Sequence, residues 1–362
     1  MSEMDSGLYA LNVENMVSML SKVYISLIRS NTPFKQFPSV MLWGPPGVGK
    51  SQGVREIAGA IERETNKKVV ITDVRLLLFN PVDLRGIPTA NEDKTLAVWL
   101  KPKIFQMDDS AETVNILFLD EISAAPPSVQ AAAYQITLDR MVGEHKLPEN
   151  CIVIAAGNRV TDKSVAYNMP KALANRLCHF EIKGDSKAWH DWALKKGIHK
   201  YVVSYLEFNS GSLMRFDYSG TNLAFATPRS WEMVSNILNT VADDVEEVYP
   251  MIIGCIGHNT ASLFRSWTEL YQTVPSVKSL LAGEETEIPK APELQIVLRS
   301  EIVDYARKHP TKEIVDRSID FACNLPWTFR GKLMHDYSCI PDLLPYLKEN
   351  EVYITSVRNV KK

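Results

Sequence analysis

Residues 44–51 read GPPGVGKS, set between the apolar run SVMLW at 39–43 and the stretch QGVREIAGAIERETN at 52–66. Gly44, Gly49, Lys50 and Ser51 fit the spacing G-x-x-x-x-G-K-[ST] of a phosphate-binding loop. In such a loop the N–H groups of a glycine-rich turn and of the following helix N-terminus surround phosphate oxygens. Gly44, Pro45, Pro46, Gly47, Val48, Gly49, Lys50, Ser51 and Gln52 are therefore the candidate nucleotide-binding residues. Lys50 would set its ammonium against the β- and γ-phosphates, and the Ser51 hydroxyl would hold Mg²⁺.

Working outward, apolar positions at helical spacing over 11–30 (Leu11, Val13, Met16, Val17, Leu20, Val23, Ile25, Leu27) predict an amphipathic helix leading in. SVMLW reads as a buried strand, KKVVITDVRL at 67–76 as a second, and ETVNILFLDEI at 112–122 as a third with the unbroken apolar run of a central parallel strand. NCIVIAAGN at 150–158 and HFEIKG at 179–184 supply a fourth and a fifth. PPSVQAAAYQITLDRM at 126–141 is helical, its prolines suited to a first turn. Strands alternating with helices imply an α/β fold, a parallel five-stranded sheet sandwiched by helices. From about 186 the pattern turns wholly helical, predicting a smaller all-α domain. LAGEETEIPKAPE at 281–293 reads as a linker. The expected division is 1–35 helical lead-in, 36–185 nucleotide-binding core, 186–290 helical lid and 291–362 helical extension.

Two further elements carry chemistry. ILFLDE ends in Asp120 and Glu121, and strand C-termini of a parallel sheet face the ligand crevice. Asp120 suits fixing Mg²⁺, and Glu121 suits orienting and deprotonating an attacking water. Asn158 ends the strand CIVIAAGN, where its amide could contact that water or the γ-phosphate. Taken alone, a strand-ending Asp-Glu pair is often simply solvated and an Asn simply caps a turn.

The 362 residues include 45% hydrophobic and 23% charged, enough for a sizeable core. A net charge of −3 argues against a strongly basic nucleic-acid binder. No 18-residue apolar run and no signal-peptide layout are visible, so a cytoplasmic protein is expected. The five cysteines are scattered without C-x-x-C spacing, which points to reduced thiols and predicts no structural zinc. WHDW at 189–192 falls at helical spacing and reads as packing. The acidic runs at 243–247 and 284–287 read as solvated faces.

GPPGVGKS, LFLDEISAAPPSVQAAAYQ, LDRMVGEHKLP, IAAGN and MPKALANRL, in that order, resemble the AAA+ ATPases of the MoxR family over roughly residues 35–235. ALANR and TPRSWE are most similar to the branch associated with von Willebrand A-domain proteins. The resemblance implies an AAA+ P-loop NTPase core with a helical lid, ATP and Mg²⁺ as cofactors, and a hexameric ring that remodels a partner, expected to be a von Willebrand A-domain protein. It assigns Asn158 as sensor 1 and Arg176 as an arginine finger acting in trans on the neighbouring subunit's γ-phosphate. It also assigns Arg229 as sensor 2, touching the nucleotide of its own subunit. Many members carry Asp before the finger arginine, where this chain has Asn175.

RMVGEHKLP resembles the family's helix-2 insert, and NPVDLRGIPT at 80–89 its other pore-side loop, so that Asp83, Arg85, Glu144 and His145 would face a pore or partner. Both stretches equally suit ordinary connections. Arg140 reads either as a second interface cation or as a solvated helix end. Two other functions stay open at this level. A motor or loader on nucleic acid would need a basic, aromatic surface. A slow ATP-controlled scaffold would bind nucleotide with little turnover, which the intact Asp120–Glu121 pair disfavours.

Overall fold

A computed structural model of the chain describes residues 7–159, 162, 167–215, 223–241, 244–284 and 287–360. Asp243 and Glu285, members of the two acidic runs, lie outside the described residues. The chain divides into two compact units, Met1–Gly184 and Asp185–Lys362. No helix among the described residues is long and apolar enough to cross a membrane.

In the first unit, β1 (Ala10–Leu11) leads into helix α1 (Val13–Arg29), and β2 (Ser39–Trp43) runs through the glycine loop into α2 (Lys50–Thr65). β3 (Lys68–Arg75) and the short α3 (Pro81–Arg85) follow, then a hairpin of β4 (Ile87–Ala90) and β5 (Ala97–Leu100). β6 (Thr113–Asp120), α4 (Pro127–Asp139), a hairpin of β7 (Met141–Val142) and β8 (His145–Lys146), β9 (Cys151–Gly157), α5 (Lys171–Ala174) and β10 (Leu177–Ile182) complete the unit.

The main sheet has the order β1-β10-β2-β9-β6-β3, parallel throughout. All five strands expected from the sequence are in it. The sixth, β1, is only two residues long and pairs Ala10 with Glu181 and Leu11 with Ile182 at the sheet edge. Two residues are too few to show a period-2 pattern. β9 is buried along its whole length and β6 up to Asp120, as strands covered on both faces must be. The lead-in helix α1 belongs to this unit and packs on α2, where Met16 lies so close to Gly53 that a side chain there would collide with it.

The described residues of the second unit form helices, beside one isolated antiparallel bridge between Arg215 and Ala226: α6 (Ser186–Lys196), α7 (Lys200–Phe208), α8 (Pro228–Thr240), α9 (Val245–Ile256), α10 (His258–Glu269) and α11 (Val277–Leu281). α12 (Pro292–Lys308), α13 (Lys312–Cys323), α14 (Trp327–Cys339), α15 (Leu344–Glu349) and α16 (Glu351–Val360) follow. Residues on either side of the Pro/Glu-rich stretch share one core: Trp189, Val202 and Trp231 pack in the same cluster as Leu298, Ile319, Leu333 and Tyr337. Tyr205, Trp231 and Phe264 form its aromatic centre, with ring centroids 5.4–5.5 Å apart.

Into this core the sequence inserts a charge. Arg299 is buried, and its Nε donates to Asp336 Oδ2 at 2.9 Å while Nη2 donates to Glu207. Burial alone would depress the guanidinium, but the charges of Asp336 and Glu207 hold it above its ordinary value. Burial alone would likewise raise Asp336, and the hydrogen bond from His190 together with Arg299 keeps it below the usual carboxylate range. Removing one partner of such a group leaves the others buried and uncompensated. Arg299→Ala is expected to destabilise the helical unit by about 3 kcal/mol, because Lys332 and His190 still attend the two carboxylates. Tryptophan fluorescence during urea unfolding reads this, since Trp189, Trp192, Trp231, Trp267 and Trp327 lie in this unit. An unchanged midpoint would remove the network from the stability argument.

Candidate active site

The site is built where three parallel strands end together. Trp43 of β2 stands opposite Gly157 of β9, and Leu119 of β6 stands opposite Ala155. The Gly44 N–H continues the ladder, donating to the Gly157 carbonyl at 3.2 Å. A Cβ on Gly44 would lie 2.5 Å from the Ile182 carbonyl oxygen of β10, so the loop can leave the sheet here only as glycine. Gly47 and Gly49 have φ of +77° and +104°, conformations that turn the backbone into the first turn of α2.

Lys50, the first residue of α2, is buried. Its Nζ donates to the carbonyls of Gly44 at 2.6 Å and Pro45 at 3.1 Å and to Asn158 Oδ1 at 3.0 Å. The Ser51 hydroxyl donates to Asp120 Oδ2 at 3.1 Å, and the other carboxylate oxygen accepts the Glu121 N–H at 2.9 Å. Glu121 has φ of +57°, a left-handed conformation that costs a non-glycine residue about 1–3 kcal/mol. Lys50, Ser51, Asp120, Glu121 and Asn158 are thus linked through hydrogen bonds around one loop, from residues 108 positions apart at most. Gln52 instead donates to Glu56 Oε1 at 3.3 Å along α2.

Four supporting residues carry no signal in the sequence pattern. Ser123, two positions after Glu121, accepts the Asn158 N–H on its Oγ at 2.9 Å and would block any Cβ on Gly157. Trp43 Nε1 donates to His179 Nδ1 at 2.9 Å, which leaves His179 Nε2 as the protonated nitrogen donating to the Ala174 carbonyl at 2.7 Å. That chain joins the strand before the loop to α5, two residues before Arg176. Asp73 on β3 lies above the ordinary carboxylate range through partial desolvation and the charge of Asp120.

Arg176 is exposed just after α5, its N–H closing on the Leu173 carbonyl at 2.9 Å. Arg229 is exposed in the first turn of α8, in the second unit, behind a Thr227–Ser230 capping box. Arg140, the C-cap of α4, is not a freely solvated helix end. It donates to the carbonyls of Cys151 at 3.2 Å and Phe37 at 3.3 Å, tying three segments of its own unit, and burial lowers its pKa.

The two expected pore-side loops meet each other: a Cβ on Gly143 would lie 2.5 Å from the Arg85 carbonyl oxygen, and His145 Nε2 is 2.8 Å from the Trp99 carbonyl oxygen. Asp83 is occupied in capping α3, its Oδ2 accepting the Asn80 N–H at 2.8 Å. Arg85 and Glu144 are exposed.

Residues 39–179 match the family model described as the ATPase family associated with various cellular activities (AAA). The matched segment begins with β2 and ends in β10, enclosing every residue of the loop site. This segment is under half of the chain; with the six-stranded parallel sheet flanked by helices and the helical region after it, the match supports an AAA+-type α/β fold and an ATP-driven activity. No curated protein matches the sequence.

Among solved structures, RuvB of Thermotoga maritima is 14% identical, covering 82% of this chain and 75% of its own with a TM-score of 0.36. PCH-2 of C. elegans is 14% identical, covering 73% and 70% with a TM-score of 0.34. NtrX from Brucella abortus in complex with ATP is 14% identical, covering 86% and 66% with a TM-score of 0.37. At these scores the three likenesses carry no assignment, which rests on the matched segment and the sheet.

Ser123→Ala removes the acceptor that fixes the Asn158 backbone. A lost hydrogen bond of about 1–1.5 kcal/mol corresponds to roughly a tenfold change in rate. Nucleotide turnover is expected to fall by about that factor with nucleotide affinity unchanged. Equal losses of affinity and turnover would show that Ser123 supports the fold of the loop and not the placement of Asn158.

Proposed function

We propose that the protein hydrolyses ATP to ADP and phosphate, as a MoxR-type AAA+ ATPase working in a ring. The observation that carries this reading is the convergence of Lys50, Ser51, Asp120, Glu121 and Asn158 at the C-terminal ends of β2, β6 and β9. The N–H groups of a helix N-terminus and a buried ammonium suit a polyphosphate, whose oxygens would replace the Gly44 and Pro45 carbonyls around Lys50.

The Ser51 hydroxyl and the Asp120 carboxylate are hard oxygen donors 3.1 Å apart, a donor set that fits Mg²⁺. When bound there, Mg²⁺ would neutralise charge on the β- and γ-phosphates. Lys50 would hold the phosphate chain in line for attack. Glu121, the residue after the Mg²⁺ carboxylate, would orient a water and take its proton as the oxygen bonds to the γ-phosphorus and the bridge to the β-phosphate breaks. Asn158 accepts from Lys50 on Oδ1, which leaves its Nδ2 hydrogens for the water or the γ-phosphate.

Arg176 would complete the site of a neighbouring subunit, its guanidinium stabilising charge on the transferring phosphoryl group; its exposure supports this role. Arg229 would act as sensor 2. The work output would be remodelling of a partner protein, with a von Willebrand A-domain protein the client that the sequence resemblance favours.

Glu121→Gln is expected to retain ATP binding and lose about 10²–10⁴ in turnover, measured by phosphate release. Wild-type turnover in this variant would sink the assignment of the base. The in-trans role has its own test. Lys50→Ala and Arg176→Ala are each expected to be inactive, and an equal mixture to recover about a quarter of wild-type turnover, because half the intact loops then face an intact arginine. A mixture as inactive as its components would place Arg176 outside the neighbour's site.

A further inference from the structure

In the helical unit, α6 and α14 present the same dipeptide to each other, and the pairing is crossed. His190 Nε2 meets Asp336 Oδ1 at 3.2 Å, and His335 Nε2 meets Asp191 Oδ1 at 2.8 Å. The first pair is buried and belongs to the Arg299 network. The second pair has a third member. Cys339 lies four residues after His335, hence on the same face of α14, and its Sγ is 3.9 Å from the same His335 Nε2. One donor atom from each of Asp191, His335 and Cys339 lies within 4.8 Å of the other two.

We propose that Asp191 Oδ1, His335 Nε2 and Cys339 Sγ bind a borderline divalent cation of the zinc class, with a water as fourth ligand. Tetrahedral coordination with bonds of about 2.0–2.3 Å requires ligand atoms roughly 3.3–3.6 Å apart. The two distances from His335, 2.8 Å and 3.9 Å, fall on either side of that range and all three atoms lie within 4.8 Å of one another, so side-chain shifts of about an ångström convert the cluster into a coordination sphere. The thiol is buried and the imidazole is half exposed, which leaves a solvent-facing side for the water ligand and for the ion's approach.

A thiolate with an imidazole and one carboxylate favours zinc over Mg²⁺ or Ca²⁺, which take oxygen donors. The cluster is therefore chemically distinct from Ser51 and Asp120. Binding forms metal–O, metal–N and metal–S bonds, and the thiol proton passes to buffer. The ion would clamp α6 at the start of the helical unit to α14 near its end. Sequence separation hid the site: Asp191 and His335 are 144 residues apart.

Cobalt(II) titration of the full chain, stripped by chelation beforehand, tests this. About one equivalent is expected to give a thiolate-to-cobalt charge-transfer band and the intense visible bands of a four-coordinate ion, both removed by added zinc. Cys339→Ser should abolish the charge-transfer band. His335→Gln, a change at an exposed ring, and Asp191→Asn should each weaken cobalt binding at least about tenfold. A weak six-coordinate spectrum alone overturns the proposal, as does a charge-transfer band that persists in Cys339→Ser. Unchanged affinity in His335→Gln overturns it too, and that variant decides the matter even if the cysteine variant fails to fold.

Discussion

The ammonium of Lys50 is buried at the start of a helix, and a buried cation is tolerated only where oxygens replace its lost water. Those oxygens include the Gly44 and Pro45 carbonyls and the Asn158 side chain. The loop is therefore folded around its own lysine, and Asn158 is drawn from β9 into the same shell. The requirement fixes the neighbours in turn. Gly44 must lack a side chain because the Ile182 carbonyl closes over it, and Asn158 must be held by its backbone, which the Ser123 hydroxyl does. Ser51 and Glu121 then share the two oxygens of Asp120, so that α2 and the end of β6 are joined through one carboxylate.

The support extends to the residues that precede the loop. Val13 of α1 lies 3.2 Å from where a Cβ on Gly49 would be, and Met16 and Val17 crowd Gly53. The two glycines let α1 lie directly on the start of α2, so the lead-in helix covers the phosphate loop from outside the sheet. β1, immediately before α1, pins this helix by adding to β10 at the sheet edge. Trp43 connects on the other side through His179 to the Ala174 carbonyl. The end of β2 thereby fixes the end of α5, from which Arg176 projects.

The central strands β6 and β9 are legible in the sequence because their burial on both faces writes continuous apolar runs, and the loop is legible because phosphate binding restricts residue type at fixed spacing. What chain order cannot show is pairing across long separations. WHDW reads correctly as packing for Trp189, yet His190 and Asp191 point to partners on α14 that no local pattern announces. Arg140 looks like a solvated charge at a helix end and is a half-buried clamp, because its αL conformation turns the chain back toward Phe37 and Cys151. β1 escapes a sequence reading for the opposite reason. Its two residues are held by the β10 edge and not by any preference of their own.

The two units bury cations in different company, and the difference decides what each can do. Arg299 is enclosed by the carboxylates of Asp336 and Glu207, so its charge is balanced within the fold and an incoming anion would have to displace charged partners. The partners of Lys50 include two carbonyls and an amide oxygen, which are neutral dipoles. A phosphate oxygen can replace such a dipole at a gain, since a charge-assisted hydrogen bond is roughly twice as strong as one between neutral groups. The same physical demand, that no charge be buried alone, yields a permanent structural knot where the partners are ionic. Where they include neutral dipoles, those dipoles can be exchanged for a ligand's oxygens. By that criterion the glycine loop is built to release its own oxygens to a ligand, and the Arg299 network is built to keep its partners.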